Sequence, residues 1–158
     1  MATQNIIQYL ETEQYNALPG QSNVAVGVAA MNRRQVETFI AAEDITANDL
    51  VALDLSKTSD GDKGIFVVKA DTGTGTDKCA VGFALNAAEE GETVDVTIAG
   101  IHTSANVDAA VVAGDSLCIG ATAGQADVYE AGFTFPIIAI AAEADATNVA
   151  TVFVIKQF

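Results

Sequence analysis

The stretch AVGFALNAAEEGETVDVTIAG, residues 80–100, has the clearest strand pattern in this chain. It opens with an apolar run and passes through a turn rich in Asn, Glu and Gly. It ends in the segment 93–98, where every second residue is Val or Ile. Alternation with a period of two after a glycine-containing turn is the strongest sequence signal for two paired strands with one buried face. The stretch therefore predicts a β-hairpin.

The hairpin pattern recurs toward the C-terminus, which indicates an internal repeat. Residues 137–143 echo residues 83–89, and residues 151–154 echo residues 93–96. Between these two matches the second copy has a longer turn, residues 144–150. The C-terminal segment therefore predicts a second hairpin of the same kind.

A further match lies upstream of each hairpin. The sequence ANDLVAL at 47–53 corresponds to AGDSLCI at 113–119, because each is a turn that contains Asp and leads into an apolar strand. We therefore predict two diverged copies of one β unit, residues 38–100 and 101–158. Two copies are too few for a solenoid, so we expect an all-β fold in which they pack into a single sandwich or barrel.

The composition supports one domain built from sheets. A chain of 158 residues fits a single domain that buries about two-thirds of the surface of the unfolded chain. Half of the residues are apolar, but only 6% are aromatic and Trp is absent. Small and β-branched side chains suit a pleated surface, and no segment has a long helical apolar stripe. The composition therefore predicts a core of Ala, Val and Ile on strands.

The charge of the chain is strongly negative, since 21 acidic residues face 7 basic ones and the net charge is −14. Nucleic acids and anionic membranes require a cationic surface, so we expect neither as a partner. The excess of acid indicates either a solubilising surface or a complement to a basic partner. The N-terminus shows no signal sequence and no segment is long enough to span a membrane, so we expect synthesis in a host cytoplasm.

Residues 1–37 differ in composition from the rest of the chain. They are rich in Asn and Gln, their apolar residues follow no clear period, and Pro19 and Gly20 interrupt any helix. The segment is either a short helix that ends before Pro19 or an extended arm that orders against a neighbouring subunit, and we favour the arm. Residues 24–30 are predicted to form a lead-in strand. We predict partner-binding residues in this segment at Ile6, Ile7, Tyr9, Leu10, Tyr15, Arg33 and Arg34.

The chain lacks the residue types of a catalytic or metal site. Cys79 and Cys118 form no Cys-x-x-Cys motif, and Cys118 in its apolar strand is expected to be a small buried hydrophobe. The single histidine, His102, would lie about 7 Å from Ser104 on one strand face, too far for a nucleophile–base pair. The loop 59–64 lacks the later ligands of a calcium loop. We therefore expect no enzyme, no cofactor and no bound metal.

The hairpin at 81–100 and the turn AGDSL at 113–117 resemble those of the capsid decoration, or cement, proteins of tailed phages. In that family a Val-Gly-x-Ala-like strand, an acidic turn with Gly and an alternating Val strand precede an Ala-Gly-Asp-x-Leu turn. The resemblance covers about residues 40–158. The last hairpin departs from it, with isoleucine and threonine where the first hairpin has Gly82 and Gly91.

The resemblance implies a structural virion protein on the outer surface of an icosahedral head. Such a protein binds the major capsid protein as a homotrimer and stabilises the contacts between capsid subunits. Two other classes share a β fold of this kind. A head fibre base or receptor-adhesion module would require an exposed aromatic or carbohydrate-binding surface, and a tail or neck ring component would expose strand edges.

Overall fold

The computed structural model describes residues 34–59, 62, 64–73, 79–108, 110–130 and 134–157. Of the predicted arm and lead-in strand, residues 1–33 lie outside them, and the last three residues, 35–37, belong to the first strand. The described residues form nine β-strands and no helix, so the all-β prediction is confirmed. In chain order the strands are β1 Gln35–Ala41, β2 Leu50–Leu53, β3 Phe66–Lys69, β4 Ala80–Ala84, β5 Thr93–Asn106, β6 Ser116–Ile119, β7 Ala126–Val128, β8 Ala139–Ala141 and β9 Val149–Val154.

The first five strands form a closed barrel. Their order is β1-β3-β2-β4-β5, and β5 pairs with β1 to complete the circle. The β1–β3 pair is parallel and the other pairs are antiparallel. Closure leaves each of these strands with a partner on both sides, which removes the exposed edge that an open sheet would have.

Strand β5 continues from the barrel into the second repeat. Gln35 lies opposite Ala99, and Gly100, the next residue of β5, lies opposite Val154 of β9. Beyond this point the order is β5-β9-β8-β6-β7, and the parallel bridge between Val107 and Ala126 brings the end of β5 to β7. Starting from the second half of β5, the order β5-β7-β6-β8-β9 corresponds to the order β1-β3-β2-β4-β5 of the barrel. This correspondence confirms the prediction of two diverged β repeats.

The turns that contain Asp correspond as the sequence predicts. Ala84 exchanges two backbone hydrogen bonds, of 2.8 and 2.9 Å, with the turn residues Asn48 and Asp49. Ala141 exchanges the same two bonds, again of 2.8 and 2.9 Å, with the turn at 114–115. The equivalence of Asp49 and Asp115 therefore extends from residue type to backbone geometry.

The strand pairing corrects the predicted alignment of the two hairpins. Ala84 lies opposite Val96, and in the second repeat Ala141 lies opposite Val152. The first strand of the second hairpin, β8, is therefore displaced by three residues from its predicted alignment with β4. The second strand, β9, is displaced by two residues from its predicted alignment with β5. The second hairpin is also one residue shorter than the first, so the predicted longer turn is wrong. Ala and Val recur throughout both hairpins, and matching by residue type therefore fits several offsets.

Two apolar cores organise the described residues. One is the barrel interior, formed by Phe39, Ala41, Ile45, Val51, Val67, Val81, Ala84, Ala88, Val94, Val96 and Ile98. The other combines the inner face of the second repeat with the outer face of β2 and β4, from which Leu50 and Phe83 project. Adjacent residues on a strand face opposite sides, so Leu50 and Val51 enter different cores. The second repeat is therefore packed directly on the barrel wall.

Candidate functional site

The histidine considered as a catalytic candidate, His102, is buried at the contact between the two repeats, with an exposed fraction of 1%. Its ring stacks on Phe83, with centroids 5.4 Å apart and planes inclined by 27°. Its Nδ1 lies 3.2 Å from Thr97 Oγ1, and its Nε2 lies 3.2 Å from Asn48 Oδ1. The ring thus joins the second repeat to two elements of the barrel.

Burial, with a smaller contribution from the positive charge of Arg34, lowers the pKa of His102 to about 4. The ring is therefore neutral at pH 7. An amide oxygen only accepts, so Nε2 donates to Asn48 and Nδ1 accepts from the Thr97 hydroxyl. Because both nitrogens are engaged, the ring has no lone pair free to take a proton from Ser104, and its role is structural.

Asp49 accepts two hydrogen bonds close to His102, at the same contact between the two repeats. One carboxylate oxygen accepts from Asn106 Nδ2 at 2.8 Å, and the other accepts from the Thr46 backbone N–H at 2.9 Å. Lys69 Nζ lies 3.9 Å from the second oxygen. The sequence identified Asp49 as a turn residue, but its partner on β5 is 57 positions away and has no sequence signal.

The two cysteines have different surroundings. Cys118 is buried and Cys79 is exposed, which confirms that Cys118 is a small buried residue of its strand. Burial, and then the nearby charge of Asp127, raises the pKa of the Cys118 thiol to about 11. Across the described ranges, no group of three His, Cys, Asp or Glu side chains is arranged to hold a metal ion. In the same residues no helix is long and apolar enough to cross a membrane.

Carboxylates gather at one end of the barrel, around an open depression of about 350 Å³ lined by Asp44, Ile45, Ala87, Ala88, Glu89 and Glu92. Asp44 accepts the backbone N–H of Glu90 at 3.2 Å, and Glu92 accepts that of Glu89 at 3.1 Å. These carboxylates therefore satisfy the backbone of the hairpin turn.

Large apolar side chains are exposed on the last two strands and just beyond their ends. Ile140 and Phe153 lie directly opposite each other, with exposed fractions of 39% and 45%. Ile137 and Ile155, just outside the strands, are also exposed. We call these four residues the β8–β9 face. This face was not predicted from the sequence, although the segment 149–155 has large apolar residues at both odd and even positions.

Most of the predicted partner-binding residues lie outside the described part of the chain: Ile6, Ile7, Tyr9, Leu10, Tyr15 and Arg33. Arg34 is described, is half-buried, and immediately precedes β1. Its charge acts on His102 at the contact between the repeats. Its predicted role in partner binding stays a prediction.

The fold is an all-β module that consists of a closed five-stranded barrel and a second β repeat with the same strand order. No protein-family model and no curated protein matches the chain. Among solved structures, the chain is similar to the N base of the head fibre protein gp8.5 of bacteriophage phi29. The TM-score is 0.51 at 20% identity, over 77% of this chain and 94% of the other. At this identity the similarity establishes a shared fold.

Proposed function

We propose that this chain is a structural protein of a tailed-phage virion that binds the outer surface of the head. The observation that carries the proposal is the shared fold with the head fibre N base of phage phi29, which spans nearly all of that domain. The resemblance of residues 40–158 to capsid decoration proteins supports the same location by a separate route. Both comparisons concern proteins of phage heads.

The surface chemistry supports an outward location. A net charge of −14 repels packaged DNA, so the chain is poorly suited to the interior of a filled head. The described buried side chains leave no polar nitrogen or oxygen without a hydrogen-bond partner.

Within this class we propose the decoration role, in which the protein binds the major capsid protein and stabilises contacts between capsid subunits. The proposal predicts that the purified chain cosediments with expanded, DNA-free heads of the phage that encodes it. It also predicts that saturating amounts raise the melting temperature of those heads. Failure to pellet with the heads would rule out a head-binding function.

The second candidate is a head fibre base, and the specific observation in its favour is again the similarity to the gp8.5 N base. A fibre base would pellet with heads as a decoration protein does. Its function, however, requires it to carry further protein outward rather than to join capsid subunits. Binding that leaves the melting temperature of the heads unchanged would favour the fibre base.

The predicted arm can be tested in the same assay. If residues 1–20 contact the capsid subunits of the head, a chain that lacks these residues will pellet with heads less completely than the full chain at equal concentration. Multivalent attachment makes the loss larger than the contact of one arm would suggest. A variant with Leu55→Glu, which changes an exposed side chain of the described body, is the matched control. Equal binding of all three proteins would remove the arm from the proposal.

A further inference from the structure

Three side chains that together can form an amide bond meet at the contact between the two repeats. Asn106 Nδ2 lies 2.8 Å from Oδ1 of Asp49, and Lys69 Nζ lies 3.9 Å from Oδ2 of the same carboxylate. An amine, a carboxamide and a carboxylate are the nucleophile, the acyl group and the proton carrier of an amide exchange. They belong to β3, to β5 and to the turn before β2, so only folding brings them together.

The carboxylate that connects these groups is shielded from water. Asp49 is 7% exposed, and Gly124 covers its Cγ so closely that a Cβ on the glycine would lie 2.8 Å away. The residues next to the three reactive ones in the chain include four that are fully buried and apolar: Leu50, Ala70, Ala105 and Val107. Exclusion of water removes a competitor for the acyl group and strengthens the electrostatic interactions within the site.

The orientation of the Asp49 carboxylate suits a proton carrier. Its Oδ1 accepts from the amide nitrogen that would leave, and its Oδ2 faces the amine that would attack. The Thr46 backbone N–H, 2.9 Å from Oδ2, holds the carboxylate in place. Lys69 is the movable partner, because its side chain is 29% exposed and has a flexible four-carbon stem.

A second ion pair among the described residues lacks this arrangement. Lys57 Nζ lies 3.6 Å from Oδ2 of Asp54, but Oδ1 of Asp54 accepts from the hydroxyl and the backbone N–H of Ser56. This pair has an amine and a carboxylate without a carboxamide bonded to the carboxylate. It therefore provides a matched control for the site at Asp49.

We propose that Lys69 and Asn106 form an isopeptide bond, with Asp49 as the proton carrier. Asp49 takes a proton from the Lys69 ammonium, the side chain of Lys69 rotates toward Asn106, and the neutral Nζ attacks Cγ. The Nζ–Cγ bond forms and the Cγ–Nδ2 bond breaks. Nζ loses two protons in all through Asp49, and both end on Nδ2, which leaves as ammonium. Asp49 is regenerated, and the step requires no oxidant and no other reactant.

The bond would connect the barrel covalently to the second repeat. Lys69 lies on β3 of the barrel, and Asn106 lies at the end of β5 that pairs with β9. The reaction follows folding and occurs once in each chain, so it is a self-modification and not a turnover of substrate. It concerns the free chain and does not rest on the proposed attachment to a phage head.

The test is the mass of the purified full-length chain, measured by mass spectrometry after unfolding. Samples are taken until the mass is constant. With allowance for the initiator Met, we expect wild type to be lighter than its sequence by one molecule of ammonia. We also expect trypsin to spare the bond after Lys69 and to yield a branched peptide that joins this segment to the one containing Asn106.

Matched variants separate this reaction from other losses of ammonia. Lys69→Arg keeps the positive charge beside Asp49 but is a poor nucleophile, and we expect it to keep the full mass. Lys57→Arg, at the control ion pair, is expected to lose ammonia as wild type does. Succinimide formation at an asparagine also releases ammonia, but that loss would persist in Lys69→Arg.

Two results would overturn the proposal. One is a wild-type chain that keeps its full mass while an unreactive Cys118 thiol shows that the fold is intact. The other is a loss of ammonia without the branched peptide. The branched peptide is read in wild type, so this outcome is decisive even if Lys69→Arg does not fold.

Discussion

At the scale of single residues, the contact between the repeats depends on buried polar groups that satisfy one another. Asp49, Thr97 and His102 are all less than a tenth exposed. Thr97 binds His102 within β5, and hydrogen bonds to Asn48 and from Asn106 connect His102 and Asp49 to other elements. A buried polar group that loses its partner costs about 1–3 kcal/mol. The cluster therefore favours one orientation of the second repeat over others that would bury similar apolar area.

The low pKa of His102 predicts a pH dependence of stability. The folded ring has a pKa of about 4 and the unfolded ring about 6.5, so the unfolded chain takes up the proton first. The contribution of the neutral ring is complete above pH 6.5 and is lost as the pH falls toward 4. At 1.36 kcal/mol for each pKa unit, the loss is about 3 kcal/mol.

This dependence is measured by urea unfolding of wild type and His102→Gln between pH 7.5 and 4. Glutamine can keep hydrogen bonds at the site but does not titrate, and the carboxylates are common to both proteins. We expect the difference in unfolding free energy between the two proteins to change by about 3 kcal/mol in favour of the variant on acidification. Curves that remain parallel over this range would show that the ring does not titrate as the structure implies.

Gly124 is confined by the same contact. Its φ is +81°, and a Cβ there would lie 2.8 Å from Cγ of Asp49, which is held in place by Asn106. Gly91 has a similar φ of +89°, but a Cβ there would have nothing within 4 Å. We expect Gly91→Ala to lower the unfolding free energy by about 1–2 kcal/mol through backbone strain alone. Gly124→Ala should cost clearly more, and equal costs by chemical denaturation would contradict the role assigned to Asp49.

At the scale of elements, β5 connects the two repeats without a loop. It is the longest strand described, and Gly100, with φ of +91°, lies where its partners change from β1 and β4 to β9. A register shift against β9 follows between His102 and Ala105. Irregularities of this kind bend and twist a strand, which allows one strand to serve two curved sheets.

The turn between β8 and β9 predicts a stabilising substitution. Thr147 and Asn148 have φ of 59° and 62°, and the Ala146 N–H donates to the Val149 carbonyl at 2.8 Å. Two positive φ angles define a type I′ turn, in which Asn is preferred first, whereas a β-branched residue is strained there. We expect Thr147→Asn to raise the unfolding free energy by about 0.5–1 kcal/mol. Thr122→Asn, in an exposed turn with negative φ, should show no such gain, and a gain of equal size there would refute the strain at Thr147.

At the scale of the whole described body, the shared core predicts that both repeats unfold together. Leu50 projects from the barrel into a core that also contains Leu117 and Val152. We expect Leu50→Ala to lower the unfolding free energy by about 2–5 kcal/mol. Labelling of the Cys118 thiol, in the second repeat, should shift to lower urea by the same amount as circular dichroism. Leu55→Ala, at an exposed position, is the control and should change either midpoint little.

Separate transitions would contradict this prediction. If Cys118 stayed protected in Leu50→Ala while the far-UV signal of the barrel was lost, the second repeat would be stable without the barrel wall.

Much of the fold could be predicted from local patterns. Alternation in 93–98 predicted the strand, and the recurring turn with Asp predicted the repeat, because both signals depend on neighbours within a few residues. The residue-by-residue alignment of the two hairpins could not be predicted from such local patterns. Their strands consist of Ala, Val and Ile, and side chains so similar in size specify a buried face without specifying a partner.

Composition and local patterns were enough to predict the fold class, the presence of two repeats, the turns at Asp49 and Asp115, and the negative charge. Each of these follows from composition or from contacts between residues close in the chain. Three features became visible only in the folded chain: one hairpin is covered and the other exposed, His102 is a buried neutral ring, and Asp49 leaves no room for a side chain at Gly124. These depend on groups separated by tens of residues, and packing between distant segments leaves no periodic trace in the sequence.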